Sequence, residues 1–121
     1  MATAAEIVES AAEVLGIVGE GEMLTSYESG DLTQAYLEVY NILQARNLIT
    51  WAYTSDIPDE YVWPVTMLVA EARATKYQIP QELYARIRSE ASGDNDNGRA
   101  ILMLRELQAR SQMGTTEIEN F

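Results

Sequence analysis

The 121-residue chain contains no cysteine and no histidine. The missing cysteines exclude disulfides, thiolate catalysis and cysteine-based zinc sites, and they leave the redox compartment open. The missing histidines remove the commonest general base and the commonest metal ligand together, which excludes most hydrolase sites. No apolar run approaches the roughly 20 residues that span a bilayer, and residues 1–15 carry three Glu and no base, unlike a secretory leader. We therefore expect a soluble protein without a membrane anchor.

Basic residues are scarce and unevenly placed along the chain. The net charge is -11, and residues 1–45 contain eight acids and no base, whereas residues 71–110 contain six acids and seven bases. A solvated, helix-rich surface accounts for both blocks. An acidic surface repels DNA, because attraction to phosphate supplies most non-specific affinity. Specific nucleic-acid binding is therefore not expected, although this charge suits a protein past which DNA slides.

Apolar periodicity predicts an all-α fold, a single small bundle of about four to five helices over residues 1–110. The 47% of apolar residues is enough for one core. The first helix should begin at a capping box, Thr3–Glu6, and end at Gly16, which suits a left-handed stop. The second should begin near Ser29–Asp31 and end near Asn47.

The second half of the chain predicts three further helices. The third starts at the Pro58 turn and runs to about Lys76, and Pro64 should kink or split it. The fourth covers residues 80–91 and the fifth residues 99–110, with a polar break between them. Residues 111–121 have little apolar periodicity, so they predict a flexible C-terminal tail.

Aromatic residues are concentrated in residues 48–65, which hold two Trp and two Tyr. The first six of these residues favour an extended segment or a β-hairpin arm, which must pack on helices or pair with another segment, including one from a neighbouring chain. Trp51 and Tyr53 share one face of an extended segment, and Trp63 points away from the apolar face of the third helix. Since one small core cannot accept all four rings, we assign Tyr61 to the core and predict Trp51, Tyr53 and Trp63 as protein-interface residues.

Two patterns suggest chemistry but fit it poorly. Residues 94–98 resemble the start of a calcium loop, but Arg105 falls where the chelating Glu belongs, so a polar turn is the better interpretation. Asp56, Asp59 and Glu60 offer carboxylates for acid–base work, yet five short helices leave little room for a cleft. We expect helix capping and solvation there, no enzyme activity, no metal site and no cofactor.

Three local patterns follow one another in a distinctive order between residues 6 and 83. They are a first helix closing at Leu15-Gly16, a second built on Ala35, Val39, Ile42 and Leu43, and a Pro58–Tyr61 entry to an Ala-rich third helix. In this order and spacing, the chain resembles the head-to-tail adaptor proteins of tailed bacteriophages, also called tail accessory or head completion proteins, particularly those of short-tailed phages.

The resemblance implies a structural virion protein that forms a homo-oligomeric ring, usually of about twelve copies. The ring would bind beneath the portal protein, extend the DNA channel and offer a platform for tail nozzle, tail tube or fibre proteins. It implies a place at the head–tail junction of the virion, after assembly in the host cytoplasm. DNA would pass without sequence-specific binding, and neighbouring subunits would meet through an acid-only half and an arginine-bearing half.

This hypothesis assigns roles to two further groups of residues. The predicted interface includes five arginines and two apolar residues of the tail, namely Arg86, Arg88, Arg99, Arg105, Arg110, Ile118 and Phe121. The predicted channel-facing acids are Glu20, Glu22, Glu28 and Asp31. The alternative hypothesis is a small acidic phage regulatory protein or DNA mimic, which would be free in infected cells. An enzyme ranks third.

Overall fold

A computed structural model describes residues 1–18 and 23–119, with side chains described as far as residue 110. No strand occurs in these residues, whose β-type pairing is limited to one isolated bridge between Ala2 and Ile57. None of their helices is long and apolar enough to cross a membrane. The predicted all-α class is therefore confirmed, with five helices: α1 (Ala4–Leu15), α2 (Ser26–Ala45), α3 (Asp59–Arg73), α4 (Gln81–Glu90) and α5 (Arg99–Glu119).

α1 begins and ends where the sequence predicts. The Thr3 hydroxyl accepts a hydrogen bond from the Glu6 N–H at 3.2 Å, and the Glu6 carboxylate accepts one from the Thr3 N–H, which completes the capping box. Gly16 ends the helix with φ of 75°, a left-handed conformation that glycine adopts without strain. The Ile17 N–H then donates to the Ala12 carbonyl, as in a Schellman motif.

α2 begins one turn earlier than the sequence predicts. A second capping box joins Thr25 and Glu28, with hydrogen bonds of 3.1 Å to the Thr25 hydroxyl and 3.0 Å to the Glu28 carboxylate. The predicted start at Ser29–Asp31 is wrong because the Thr25 cap comes first and satisfies the free N–H groups of the helix start. At the other end, Asn47 takes a left-handed φ of 58°, so its predicted role in ending α2 is confirmed.

The connection between α2 and α3 is extended in part but forms no strand. It packs on the helices of its own chain, and four of its apolar residues are at most 9% exposed: Leu48, Ile49, Trp51 and Ile57. Ile57 also exchanges two backbone hydrogen bonds with Ala2, of 2.9 and 2.7 Å. The start of the chain is thereby fixed beside the entry to α3.

Pro64 lies inside α3, and the helix continues through it. Of the two predicted effects of this proline, a split into two helices does not occur. Pro64 lies in the second turn, so its missing N–H removes a single hydrogen bond near the helix start, and its ring is fully buried. α3 ends at Arg73, before the predicted end near Lys76.

α3 is the central helix of the core. It packs against all four other helices, and residues 64–70 are all buried. Because other helices cover α3 on most sides, its sequence is apolar around most of its circumference and has no single apolar face. The largest fully buried side chains come from every helix and from the α2–α3 connection: Tyr36, Ile7, Leu15, Leu32, Leu43, Ile57, Ile87, Leu104, Val65 and Val69.

α4 and α5 complete the core on the other side of α3. α4 buries Ile87 and exposes Arg86 and Arg88, as its apolar pattern predicts. α5 starts at the predicted residue, but its backbone stays helical beyond the predicted end near Arg110. The flexible tail over residues 111–121 stays a prediction.

Candidate protein-interaction surface

The uneven charge of the sequence becomes a difference between two sides of the fold. α1 packs on α2 and α3, whereas α4 and α5 pack on α3 and on each other. The charges of α1 are all acidic and exposed, and we call Glu6, Glu9 and Glu13 the acidic flank. Five acids lie among residues 81–110, so the opposite side is mixed in sign. Its exposed arginines form the arginine flank: Arg86, Arg88, Arg99, Arg105 and Arg110.

Most arginines of this flank already contact a group of their own chain. The Arg99 guanidinium lies 5.3 Å from the ring centre of Trp63, and Arg86 forms no ion pair within the described residues. Exposed ion pairs contribute at most about 1 kcal/mol, so they can exchange partners at little cost. Three arginines of this flank form exposed ion pairs of this kind: Arg88 with Asp94 at 3.3 Å, Arg105 with Asp96 at 3.9 Å and Arg110 with Glu106 at 2.6 Å.

Asp31 of α2 is the centre of a polar cluster at the C-terminal end of α3. Lys76 donates to its Oδ1 at 2.7 Å, and the Tyr77 hydroxyl donates to its Oδ2 at 2.9 Å. Arg73 donates to Asp31 Oδ1 at 3.2 Å and to both carboxylate oxygens of Glu38, at 3.2 and 3.0 Å. Two bases of the C-terminal half therefore neutralise two acids of the N-terminal half within one chain.

Within the Asp31 cluster, the Asp31 and Arg73 side chains are 11% and 15% exposed, whereas Lys76 and Glu38 are exposed on its outer side. Burial alone raises the pKa of a carboxyl group, but the hydrogen bonds from Lys76, Tyr77 and Arg73 outweigh it and hold the pKa of Asp31 below its usual value. Burial and the hydrogen bond to Asp31 raise the pKa of Tyr77 to about 12. The cluster therefore joins an ionised Asp31 to a neutral Tyr77 at neutral pH.

The four predicted channel-facing acids have different surroundings. The Asp31 carboxylate is bound by three donors of its own chain, and its channel-facing role stays a prediction. Glu28 is half-buried and caps α2. Glu20 and Glu22 lie outside the described residues.

The aromatic residues of the α2–α3 connection pack against helices of their own chain. The Trp51 indole N–H donates to the Tyr36 hydroxyl at 3.2 Å, and its ring meets Tyr61 edge-on with 4.8 Å between ring centres. Tyr53 is half-buried and stacks on Tyr36 at 5.7 Å. Trp51 is 9% exposed and leaves almost no surface for a partner. The core position predicted for Tyr61 is confirmed.

Trp63 keeps more exposed surface than Trp51. Its ring is half-buried and lies under the Arg99 guanidinium, at the boundary between α3 and α5. This cation–π contact joins two predicted interface residues on one side of the fold. The side chain of Ile118 and the whole of Phe121 lie outside the described part of the chain.

A groove of about 220 Å³ opens between α2 and α5, with α3 as its floor, and we call it the α2–α5 groove. Ile42 at its edge is 57% exposed, although it belongs to the apolar pattern of α2. It is exposed because α5 packs on α3 and leaves this side of α2 uncovered. The lining is mainly apolar with three polar residues: Val39, Ile42, Leu43, Leu68, Ala72, Ile101, Arg46, Glu71 and Ser92.

The carboxylates that the sequence offers for chemistry either have structural contacts or are exposed. Asp59 lies 2.6 Å from the N-terminal ammonium of Met1, and Asp94 pairs with Arg88. Asp56 and Glu60 are exposed. Within the residues that the structure describes, no group of three or more His, Cys, Asp or Glu side chains is placed to hold a metal ion.

Sequence reasoning missed both the Asp31 cluster and the α2–α5 groove. A partial signal for the cluster exists, since Asp31 and Glu38 lie two helical turns apart on one face of α2. The spacing of Asp31 and Glu38 does not reveal which helix packs against that face of α2. The exposed position of Ile42 has the same cause, because the pattern of one helix does not reveal where its neighbours leave a gap.

Comparisons with known proteins do not identify a family for this chain. No family model, no curated protein sequence and no solved structure gives a significant match.

Proposed function

We propose that the chain is a head-to-tail adaptor of a tailed, short-tailed bacteriophage, which forms a homo-oligomeric ring beneath the portal protein. In this role it extends the DNA channel and provides the attachment platform for tail proteins, at the head–tail junction of a virion assembled in the host cytoplasm. The observation that carries the proposal is the placement of the acidic flank and the arginine flank on different sides of α3. The sequence resemblance supplies the biological setting.

The two flanks suit the geometry of a ring. In a cyclic assembly each subunit uses one surface to contact a different surface of the next subunit. Glu6, Glu9 and Glu13 present charges of one sign, and the arginine flank of a neighbour presents mobile opposite charges. Charge complementarity of this kind sets orientation and register more than affinity. Apolar contact must then supply most of the binding free energy.

The overall charge suits a channel through which DNA moves. With a net charge of -11, the protein lacks the basic stripe by which proteins hold phosphates. DNA can therefore pass without sequence-specific binding. The same acidic surplus opposes close packing of subunits, so the ring needs the arginine flank and contacts with the portal to form.

No catalytic step is part of this proposal. The chain lacks histidine and cysteine, and its candidate carboxylates near residue 59 are exposed or bound to the chain terminus. A carboxylate that acts as a general acid needs an environment that raises its pKa. We therefore propose a non-enzymatic, structural role.

A second function, that of a DNA mimic or small regulatory protein, is favoured by one observation. Glu6, Glu9 and Glu13 form a row of carboxylates along one exposed face of α1, which is the kind of surface that a DNA-binding protein accepts in place of phosphates. Such a protein acts as a free molecule in the infected cell and is not built into particles.

Proteomics of purified particles separates the two functions. We expect to find the chain in tailed particles of the phage whose genome encodes it, in a fixed ratio to the portal protein. We expect it to be absent from empty heads that lack tails. Free protein in infected cells together with none in tailed particles would overturn the adaptor proposal. The major capsid protein serves as the internal standard for both preparations.

A further inference from the structure

Two exposed apolar features lie at opposite ends of α2. Met23, just before the helix, is 93% exposed, and Ile42 at the edge of the α2–α5 groove is 57% exposed. Ser26 and Ile42 are separated by 16 residues of helix, about 24 Å. Met23 therefore cannot fill the groove of its own chain.

We propose that Met23 of one copy inserts into the α2–α5 groove of the next copy, which makes the two features the repeating contact of a head-to-tail assembly. The inference rests on the proposed ring and names the surfaces that would form it. A contact between two different surfaces leaves an open assembly with one free Met23 at one end and one free groove at the other, so the assembly can grow until it closes.

The size and lining of the groove favour a protein side chain over a small molecule. Its volume of about 220 Å³ is below the range of about 300–1,000 Å³ that is usual for small-molecule sites. Its apolar residues include Ile42, Ala72 and Ile101. Methionine is unbranched and polarizable, so it adapts to an irregular apolar gap of this kind.

The charges near the two features also complement each other. Met23 borders a depression that Glu9 and Glu13 of the acidic flank also line. Arg46, which lines the groove, and Arg105, one helical turn beyond the lining residue Ile101, share the single carboxylate of Asp96, at 3.3 and 3.9 Å. Two guanidinium groups on that side of the groove therefore share one acidic partner.

The remaining carboxylate of the groove is on its α3 side. The Ser92 hydroxyl lies 2.8 and 2.7 Å from the two carboxylate oxygens of Glu71 and donates its proton to that carboxylate, so Glu71 already has a partner within its own chain. Insertion of Met23 would thus bring Glu9 and Glu13 of one copy towards Arg46 and Arg105 of the next. This arrangement places one edge of the acidic flank against one edge of the arginine flank.

Cysteine cross-linking tests the contact, because the natural chain contains no cysteine. A double variant, Met23→Cys with Ile42→Cys, is treated with a short bismaleimide at a concentration where native mass spectrometry detects oligomers. Both sites are exposed, so the variant should fold. We expect a ladder of dimer, trimer and larger species. The matched control is Met23→Cys with Gln81→Cys, in which the second cysteine is exposed on α4 outside the groove and should give no ladder.

Several outcomes would overturn the contact. One is an oligomer that gives no ladder with the Met23→Cys, Ile42→Cys pair, which would leave the ring itself standing. Another is cross-linking of Ile42→Cys alone to a dimer, which would indicate a two-fold contact between grooves. A chain that forms no oligomer, with or without the portal protein, would overturn the contact and the ring together.

A second measurement does not depend on cysteine geometry. Ile42→Asp places a carboxylate at the groove, and we expect self-association about tenfold weaker than in the natural chain, as for loss of one anchoring contact. Leu102→Asp is the control, since Leu102 is 51% exposed on α5 and does not line the groove. Equal weakening by both variants would contradict the inference.

Discussion

At the residue scale, Asp31 has the most constrained environment of the described acidic residues. Its carboxylate accepts hydrogen bonds from Lys76, Tyr77 and Arg73, and its side chain is 11% exposed. Charge-assisted hydrogen bonds of this kind are about twice as strong as neutral ones. The cluster ties the start of α2 to the end of α3, so it fixes how these two helices pair.

The Asp31 cluster gives a stability prediction with a defined pH dependence. Asp31→Asn should lower the free energy of unfolding at pH 7 by about 2 kcal/mol, because three donors lose their anionic partner. The pKa of Asp31 is lowered in the folded state, so its contribution is complete above the usual carboxyl pKa, near pH 4, and is lost as the pH falls further. The unfolding free energy of the variant should therefore fall less than that of the natural chain as the pH drops below about 4.

Urea denaturation followed by circular dichroism at several pH values measures both effects. Glu38→Gln is the control, because the Glu38 side chain is 47% exposed and water screens its ion pair with Arg73, so its loss should cost less than the loss of the Asp31 carboxylate. Equal losses for the two variants would show that Asp31 is not the centre of the cluster.

At the element scale, capping motifs in the sequence predict where a helix begins and ends. The sequence predicts less well which helices pack together. The capping box of Thr3 and Glu6 and the left-handed Gly16 are correct because their hydrogen bonds connect residues close in sequence. The same motif at Thr25 was missed because Ser29–Asp31 also contains capping residues further along.

The aromatic connection shows where propensity is overruled by packing. Its β-branched and aromatic residues favour a strand, but Trp51 contacts Tyr36 and Tyr61 of the flanking helices instead. Strand propensity depends on neighbours that cover a pleated surface, and none is available in this bundle. The sequence shows that the segment is apolar, but it does not show which side chains of the helices bury it.

Two glycine substitutions at the element scale should have opposite effects. Gly98→Ala would place a Cβ against the Ala91 carbonyl in the α4–α5 turn, so we expect a loss of about 1–3 kcal/mol in the free energy of unfolding. Gly30 lies within α2 with open space around it, so Gly30→Ala should stabilise the protein by about 0.5–1 kcal/mol. Thermal unfolding of both variants measures the difference, and shifts of the same sign would contradict this packing of the turn.

At the scale of the whole molecule, the charge split is visible in the sequence but its geometry is not. Counting acids and bases along the chain predicts two unlike halves. It does not predict that Arg73 and Lys76 bind acids of their own chain, because that depends on the pairing of α2 with α3. The charges that remain for other molecules include the three carboxylates of the acidic flank and the arginines of the arginine flank, which lie among acids.

The whole-molecule proposal therefore depends on what these flanks and the α2–α5 groove contact. Raising the salt concentration screens the attraction between the two flanks, within about 10 Å at 0.1 M salt, but it also screens the repulsion between the acidic surpluses of neighbouring subunits. The apolar groove contact should depend less on salt. Assembly should therefore be best supported on the portal, where contacts with a second protein add to those between subunits.

Native mass spectrometry of the chain mixed with the portal protein of the same genome tests the proposed ring. We predict a portal complex that carries one closed set of adaptor subunits of fixed copy number, about twelve as in cyclic portal assemblies. A chain in molar excess that stays monomeric beside an intact portal ring would contradict it.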